Sequence, residues 1–199
     1  PEVSEGIVEI YSISREAGSR TKIAVFSRDH EVDPLGACVG YKGQRVNAIV
    51  DEIDNEKIDI VIYEKEIDKF IANSLSPSKV EKVFVNEAEK SALAIVPDYQ
   101  LSLAIGKEGQ NVRLAAKLTG WKIDIKSNLQ FEEYLEERNI TEEDLIEEYE
   151  NAVKENVEEV SENLNNPEEQ DIKVDDIEDE VCGNLENADE ESSVEETEI

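Results

Sequence analysis

Leu101-Ser102-Leu103-Ala104-Ile105-Gly106-Lys107-Glu108-Gly109-Gln110-Asn111-Val112-Arg113-Leu114-Ala115-Ala116-Lys117-Leu118 decides the fold of this chain. A short apolar run, Leu101 to Ile105, and a helical pattern, Gln110 to Leu118, meet at Gly106-Lys107-Glu108-Gly109. The same layout stands earlier: Leu35 to Val39, then Gly40-Tyr41-Lys42-Gly43, then Gln44 to Ile53. A single Gly-x-x-Gly reads as a turn between helices. Two copies in the same setting point to nucleic-acid binding rather than catalysis.

Working outward, each copy sits in the same string of elements. In the first, Ile7 to Ile13 and Thr21 to Phe26 read as strands around a turn at Glu16-Ala17-Gly18-Ser19. Asp33-Pro34 opens a helix, with Asp as N-cap and Pro at the first helical position. After Gly43, the residues Val46, Ile49, Val50 and Ile53 form one helical stripe, Asn55 stops it, and Lys57 to Ile62 reads as a third strand. In the second, Ile67, Phe70, Ile71 and Leu75 form an extra helix that is expected to bridge the two units. Lys79 to Val85 and Ala92 to Val96 read as a hairpin around Glu87 to Lys90; Gly120 ends the last helix, and Trp121 to Ile125 is the last strand. The order β-β-α-GxxG-α-β thus occurs twice, over 1–63 and 64–127. Sixty-six residues separate Leu35 from Leu101, Gly40 from Gly106, Gln44 from Gln110 and Val46 from Val112, and Lys57-Ile58-Asp59-Ile60 recurs as Lys122-Ile123-Asp124-Ile125. This is an internal repeat.

The chemistry follows from the glycines. They free the chain of Cβ clashes where it turns from one helix into the next. The second helix then presents unpaired N–H groups and a partial positive charge at the surface, where phosphate binds. A neighbouring apolar groove can hold the bases of a single strand. The candidate residues are Gly40, Tyr41, Lys42, Gly43, Gln44 and Arg45 in the first unit, and Gly106, Lys107, Glu108, Gly109, Gln110, Asn111 and Arg113 in the second. Lys42, Arg45, Lys107 and Arg113 are candidate phosphate contacts; Gln44, Gln110 and Asn111 are candidate hydrogen-bond donors to phosphate or base, with a solvated helix face as the alternative. Glu108 would repel phosphate and weaken the second loop. Val39, Val46, Ile105 and Val112 flank the loops and read mainly as packing; Trp121 reads as core. Neither copy has the Gly-x-x-x-x-Gly-Lys-Ser/Thr spacing of a nucleotide phosphate loop. Aspartate at Gly40 and Gly106 is expected to block the loops and leave the fold intact.

Arg15-Glu16-Ala17-Gly18-Ser19-Arg20-Thr21-Lys22, Val32 to Gly40 and Ile105 to Trp121 resemble the tandem KH domains of the NusA family of bacterial transcription factors. The resemblance covers residues 1–127. It implies an α+β protein with two tandem type II (prokaryotic) KH domains, each a three-stranded sheet with helices on one face. It implies binding of single-stranded RNA, the nascent transcript leaving RNA polymerase, with effects on pausing, termination and antitermination. A cytoplasmic location is expected instead from the two unpaired cysteines, Cys38 and Cys182, which fit a reducing compartment. It also implies that polymerase is contacted mostly through domains outside this chain, namely an N-terminal domain and an OB-fold domain that come first in the family. The start at Pro1 fits a piece of a longer or processed protein.

Composition divides the chain. Residues 128–199 hold 29 of the 50 acidic residues and 3 of the 20 basic ones, so the net charge of −30 belongs mostly to a tail. Residues 1–127 are nearly balanced and are expected to be the folded part. A basic domain is the usual footprint of nucleic-acid binding, so modest affinity with a shallow salt dependence is expected. Phe131, Tyr134 and Leu135, then Thr141 with Asp144 as a capping pair, then Leu145, Tyr149, Val153, Val157, Val160 and Leu164, read as an acidic amphipathic helical segment over 128–165. Residues 166–199 read as an acidic disordered tail. Its roles are solubilisation, competition with RNA for the loops, or docking to a basic partner. The second functional reading is accordingly a protein-interaction module with the KH folds as scaffold. No apolar run is long enough to span a membrane, and no secretory leader is seen. Cys38 and Cys182 lie in segments too different to form a disulfide, and they make no zinc site. His30 is read as a loop residue. No cofactor, metal or enzymatic activity is expected: nucleophile, base and oxyanion donors do not converge.

Overall fold

The computed structural model describes residues 1–149 and 151. The expected hairpin forms from β1 (Val8–Glu16) and β2 (Arg20–Ser27), antiparallel, with a bulge between Ile10 and Ser12. Asp33 caps α1 (Pro34–Val39) by accepting from the N–H groups of Leu35 and Gly36. The first glycine loop follows, then α2 (Gln44–Glu52), then β3 (Lys57–Ile62), which pairs parallel with β2. The second unit repeats the plan. Its hairpin is β4 (Lys82–Asn86) with β5 (Ser91–Val96); α4 (Leu101–Ile105), the second loop and α5 (Gln110–Thr119) lead to β6 (Lys122–Ser127), parallel to β5. Each sheet has three strands, in the order β1-β2-β3 and β4-β5-β6.

β4 starts three residues later than the alternation suggests. Lys79 gives its N–H to the Gln100 side chain rather than to a strand, and pairing begins with the N–H of Glu81 on the Ile95 carbonyl.

Helix α3 (Ile67–Ser74) joins the units as expected. One side of it, Ile71 and Leu75, packs on Ala92, Ala94, Ala115 and Ile123 of the second unit. The other side, Phe70, packs with Leu118 of α5 on Ala24 and Val61 of the first sheet. Polar contacts follow the same seam. Ser12 donates to the Leu118 carbonyl, and the fully buried Lys22 donates to the Ser76 carbonyl and pairs with Asp59 at 3.2 Å. Burial pushes the Lys22 ammonium below its ordinary range, and Asp59 opposes that shift.

The first unit has no counterpart of α3 among the described residues. Ile13 holds the place in β1 that Val83 holds in β4, as the two registers show. Val83 packs against the α3 cluster, whereas Ile13 is 55% exposed and Ile10 48%. Ile49, expected on the buried stripe of α2, is 53% exposed, and α2 buries no residue fully.

The fold also runs past residue 127. β5 alternates Ala92 and Ala94 on the α3/α5 face with Leu93 and Ile95 on the other. That second face carries a further layer. α6 (Asn128–Arg138) starts directly from β6, with Ser127 and Gln130 in a reciprocal capping box, and a helical stretch over 142–149 follows. Phe131 and Leu145 from these two segments close on Phe84, Leu93 and Ile95, and Phe131 stacks on Phe84 at 5.3 Å between ring centroids. Thr141 and Asp144 cap the second stretch reciprocally. Val153, Val157, Val160, Leu164, Cys182 and the segment 166–199 lie outside the described residues. Phe131→Ala should therefore lower stability by about 3–5 kcal/mol, as for other buried Phe→Ala changes. Urea unfolding measures this, and a cost under about 1 kcal/mol would detach α6 from the core.

Candidate nucleic-acid interface

The two loops have the same backbone. Gly40 and Gly106 stand at φ/ψ of 71/176° and 77/173°. Lys42 and Glu108 are left-handed at 50/30° and 53/27°, and Gly43 and Gly109 follow at 78/10° and 73/15°. The first glycine in each closes the preceding helix, Gly40 N–H on the Gly36 carbonyl and Gly106 N–H on the Ser102 carbonyl, both at 2.9 Å. The second glycine opens the next helix with no side-chain cap at either Gly43 or Gly109. Within the loops the N–H groups of Gly43 and Gly109 donate to the Gly40 and Gly106 carbonyls, and those of Gln44 and Gln110 to the Tyr41 and Lys107 carbonyls, so what each loop turns toward an anion is the positive end of the helix that follows.

The first glycines are required by packing as well as by conformation. A Cβ on Gly40 would lie 2.6 Å from Cγ of Arg45, and one on Gly106 would lie 2.8 Å from both Cβ and the backbone N of Asn111. Arg45 and Asn111 hold the same place in the repeat, folded beneath the glycine. This corrects two expectations. Aspartate at Gly40 or Gly106 would strain the fold itself, so it cannot report on binding alone. Asn111 is also not a surface donor: it is 3% exposed, and its amide donates to the carbonyls of Leu75 and Ala104 at 3.0 Å each, tying α5 to α3 and α4.

The other candidates fall into two groups. Tyr41, Lys42, Gln44, Lys107 and Glu108 are exposed at the loops. Tyr41 is 73% exposed, with Nζ of Lys42 5.3 Å from its ring centroid. The lysines do not hold equivalent positions: Lys42 is the second residue between its glycines and Lys107 the first. Arg45, Gln110 and Arg113 are engaged instead. Arg45 donates to Glu2 at 2.7 Å and to the Ala37 carbonyl at 2.6 Å. Gln110 donates to Glu16 and to the Ser19 hydroxyl, and Arg113 donates to Glu16 at 2.6 Å and to the Glu108 carbonyl at 3.0 Å. Beside the loops, Val39, Val46 and Val112 are half-buried, Ile105 is 37% exposed, and Trp121 packs partly covered on the second core. His30 is exposed in a loop, and burial raises the thiol pKa of Cys38.

Sequence reading missed Glu16 and Ser19. They belong to the hairpin turn of the first unit, yet they meet the first turn of α5 in the second. No local pattern signals a contact across ninety residues. Arg113 and Gln110 hold the Glu16 carboxyl at about 2, well below the ordinary 4.5. Glu56 is similar: it is 1% exposed, accepts three bonds from Arg15, one from the Gly18 N–H and one from the Thr21 hydroxyl, and is also held at about 2.

No helix among the described residues is long and apolar enough to cross a membrane, and no group of three or more metal-ligating side chains occurs there. Since both carboxyls are depressed from 4.5, their stabilisation is complete above that value and is lost as pH falls toward 2. The thermal midpoint should drop across this window, and Glu56→Gln should flatten the drop. An unchanged pH profile would contradict the Glu56 network.

Comparison with known proteins follows the same division. Residues 1–63 match the NusA-like first KH domain, and residues 67–133 match the NusA-like second KH domain. The transcription termination/antitermination protein NusA of Bacillus subtilis is 65% identical over 127 residues, 64% of this chain and 34% of that protein. That of Halalkalibacterium halodurans is 62% identical over 133 residues, 67% of this chain and 35% of that protein. That of Borreliella burgdorferi is 52% identical over 134 residues, 67% of this chain and 28% of that protein. The chain spans about a third of the length of these curated relatives. A solved structure described as a crystal structure of APE1850 aligns over 60% of this chain and 88% of that one, with a TM-score of 0.45 and 24% identity, and adds nothing to the argument.

Proposed function

We propose that this chain, which belongs to the NusA family and carries its tandem KH region, binds single-stranded RNA through both glycine loops. The RNA is the nascent transcript, and the binding serves transcription termination and antitermination at RNA polymerase. The observation that carries the reading is the pair of matched loops, with the same backbone, helix N-termini without a side-chain cap and an exposed lysine in each. Phosphate sits at the positive ends of α2 and α5, and Lys42 and Lys107 add charge. Tyr41 offers a ring for base stacking, which is tolerant of base identity. Bases lie along the half-covered apolar strip of Val39 and Val46 or of Ile105 and Val112. The chain acts by binding and brings no catalytic step of its own.

Bulk charge contributes little. All six arginines of the chain are in ion pairs with carboxylates, so the loop lysines are the cations best placed to meet phosphate. For single strands the slope of log affinity on log salt is about −0.7 per phosphate neutralised, and a shallow slope follows.

The test is Lys42→Asp with Lys107→Asp. Both side chains are exposed, and aspartate accepts the left-handed backbone of position 42. RNA affinity at low salt should fall by at least about tenfold, since two contacts become repulsive, while the unfolding curve stays in place. Unchanged affinity in the folded double variant would rule the loops out as the RNA site.

A further inference from the structure

The ion pair at the second loop crosses from one unit to the other. Gln110 is the first residue of α5, and Arg113 lies one turn on. Both reach the same carboxylate: Gln110 Nε2 donates to Oε2 of Glu16 at 2.8 Å, and Arg113 Nε donates to Oε1 at 2.6 Å. That carboxylate comes from the last residue of β1 in the first unit. We propose that Glu16 is a built-in competitor for RNA phosphate, occupying the donors in the first turn of α5 that RNA would otherwise take.

The proposal rests on the RNA-binding reading above and assigns to one residue a control over it. Four observations carry it. The guanidinium is held at the loop itself, because Arg113 Nη1 also donates to the Glu108 carbonyl at 3.0 Å. The donors are in place for an anion, and a carboxylate already sits on them. The pair is water-accessible, with Arg113 47% and Glu16 23% exposed. Arg113 is open to water on its outer side, and phosphate is a geometric match for the guanidinium that Glu16 now occupies, so the two compete for it. Finally, the first loop has no counterpart: Gln44 and Asn47 stand where Gln110 and Arg113 stand in the repeat, and both are exposed. The device is one-sided, with the first unit screening the loop of the second. RNA therefore engages the first loop more readily and gains the Arg113 contact only when Glu16 yields.

Glu16→Gln in the whole chain tests this. The amide keeps an oxygen for Gln110 and removes the charge facing Arg113. Binding of a short fluorescent single-stranded RNA is measured at about 50 and about 200 mM salt, the range over which phosphate contacts show. The variant should bind about three- to tenfold more tightly at the lower salt, with a slope steeper by about 0.7, the increment for one further phosphate. Glu16→Ala should shift affinity in the same direction, and Arg113→Gln added to Glu16→Gln should cancel the gain. Unchanged or weaker binding by both Glu16 variants would overturn the proposal and leave Glu16 as a structural tie. Absence of RNA binding by the unaltered chain would instead overturn the functional reading, and the proposal with it.

Discussion

The outer face of the first sheet must be buried, and the second unit buries it. Phe70 of α3 and Leu118 of α5 close on Ala24 and Val61. Apolar burial of this kind is the main favourable term in folding. Lys22 makes the seam hard to open in part: fully buried, it has Asp59 and the Ser76 carbonyl as partners, and losing either leaves a charge poorly matched in the interior. The two loops are consequently presented by one packed body rather than by two domains on a tether. The helix that closes the first sheet, α5, is the same helix whose N-terminus forms the second loop. Folding and the placement of the second loop are thus set by one contact.

The second sheet has the same two faces to bury and solves the problem with what comes next in the chain. α6 and the stretch over 142–149 lay Phe131 and Leu145 on Leu93 and Ile95. The acidic character of these segments lies on their solvent side, where Glu132, Glu133, Glu136 and Glu137 are exposed. Their apolar residues do structural work, so the acidic tail proper begins later than charge alone suggests.

The repeat made much of this visible in the sequence. Helix bounds at Pro34 and Val39, strand bounds at Lys57 and Ile62, the Asp33 cap and the bridging role of α3 follow from local rules of capping, spacing and period. What stayed hidden depends on direction in space. Periodicity places Asn111 on the first turn of α5 without saying that it turns inward beneath Gly106. The alternation of Ala92-Leu93-Ala94-Ile95 shows two apolar faces without naming what covers each. Glu16 meets Arg113 only because α5 packs on the first sheet, and no spacing within either unit encodes that. The lysines of the loops were legible as cations but hold different positions between their glycines, which becomes meaningful only once the two backbones are seen to match.

The proposed binding is a property of backbone geometry tuned by a few charges. On the proposed reading, helix N-termini and glycines would supply a phosphate site twice and Lys42 and Lys107 would add to it, while the arginines are paired with carboxylates. The most direct measurement is an amide NMR titration of the chain with a single-stranded RNA long enough to reach both loops. The account predicts shifts concentrated at residues 40–46 and 106–113, saturating at one RNA per chain. Shifts confined to the acidic helices, or spread over the surface without reference to the glycine loops, would contradict it.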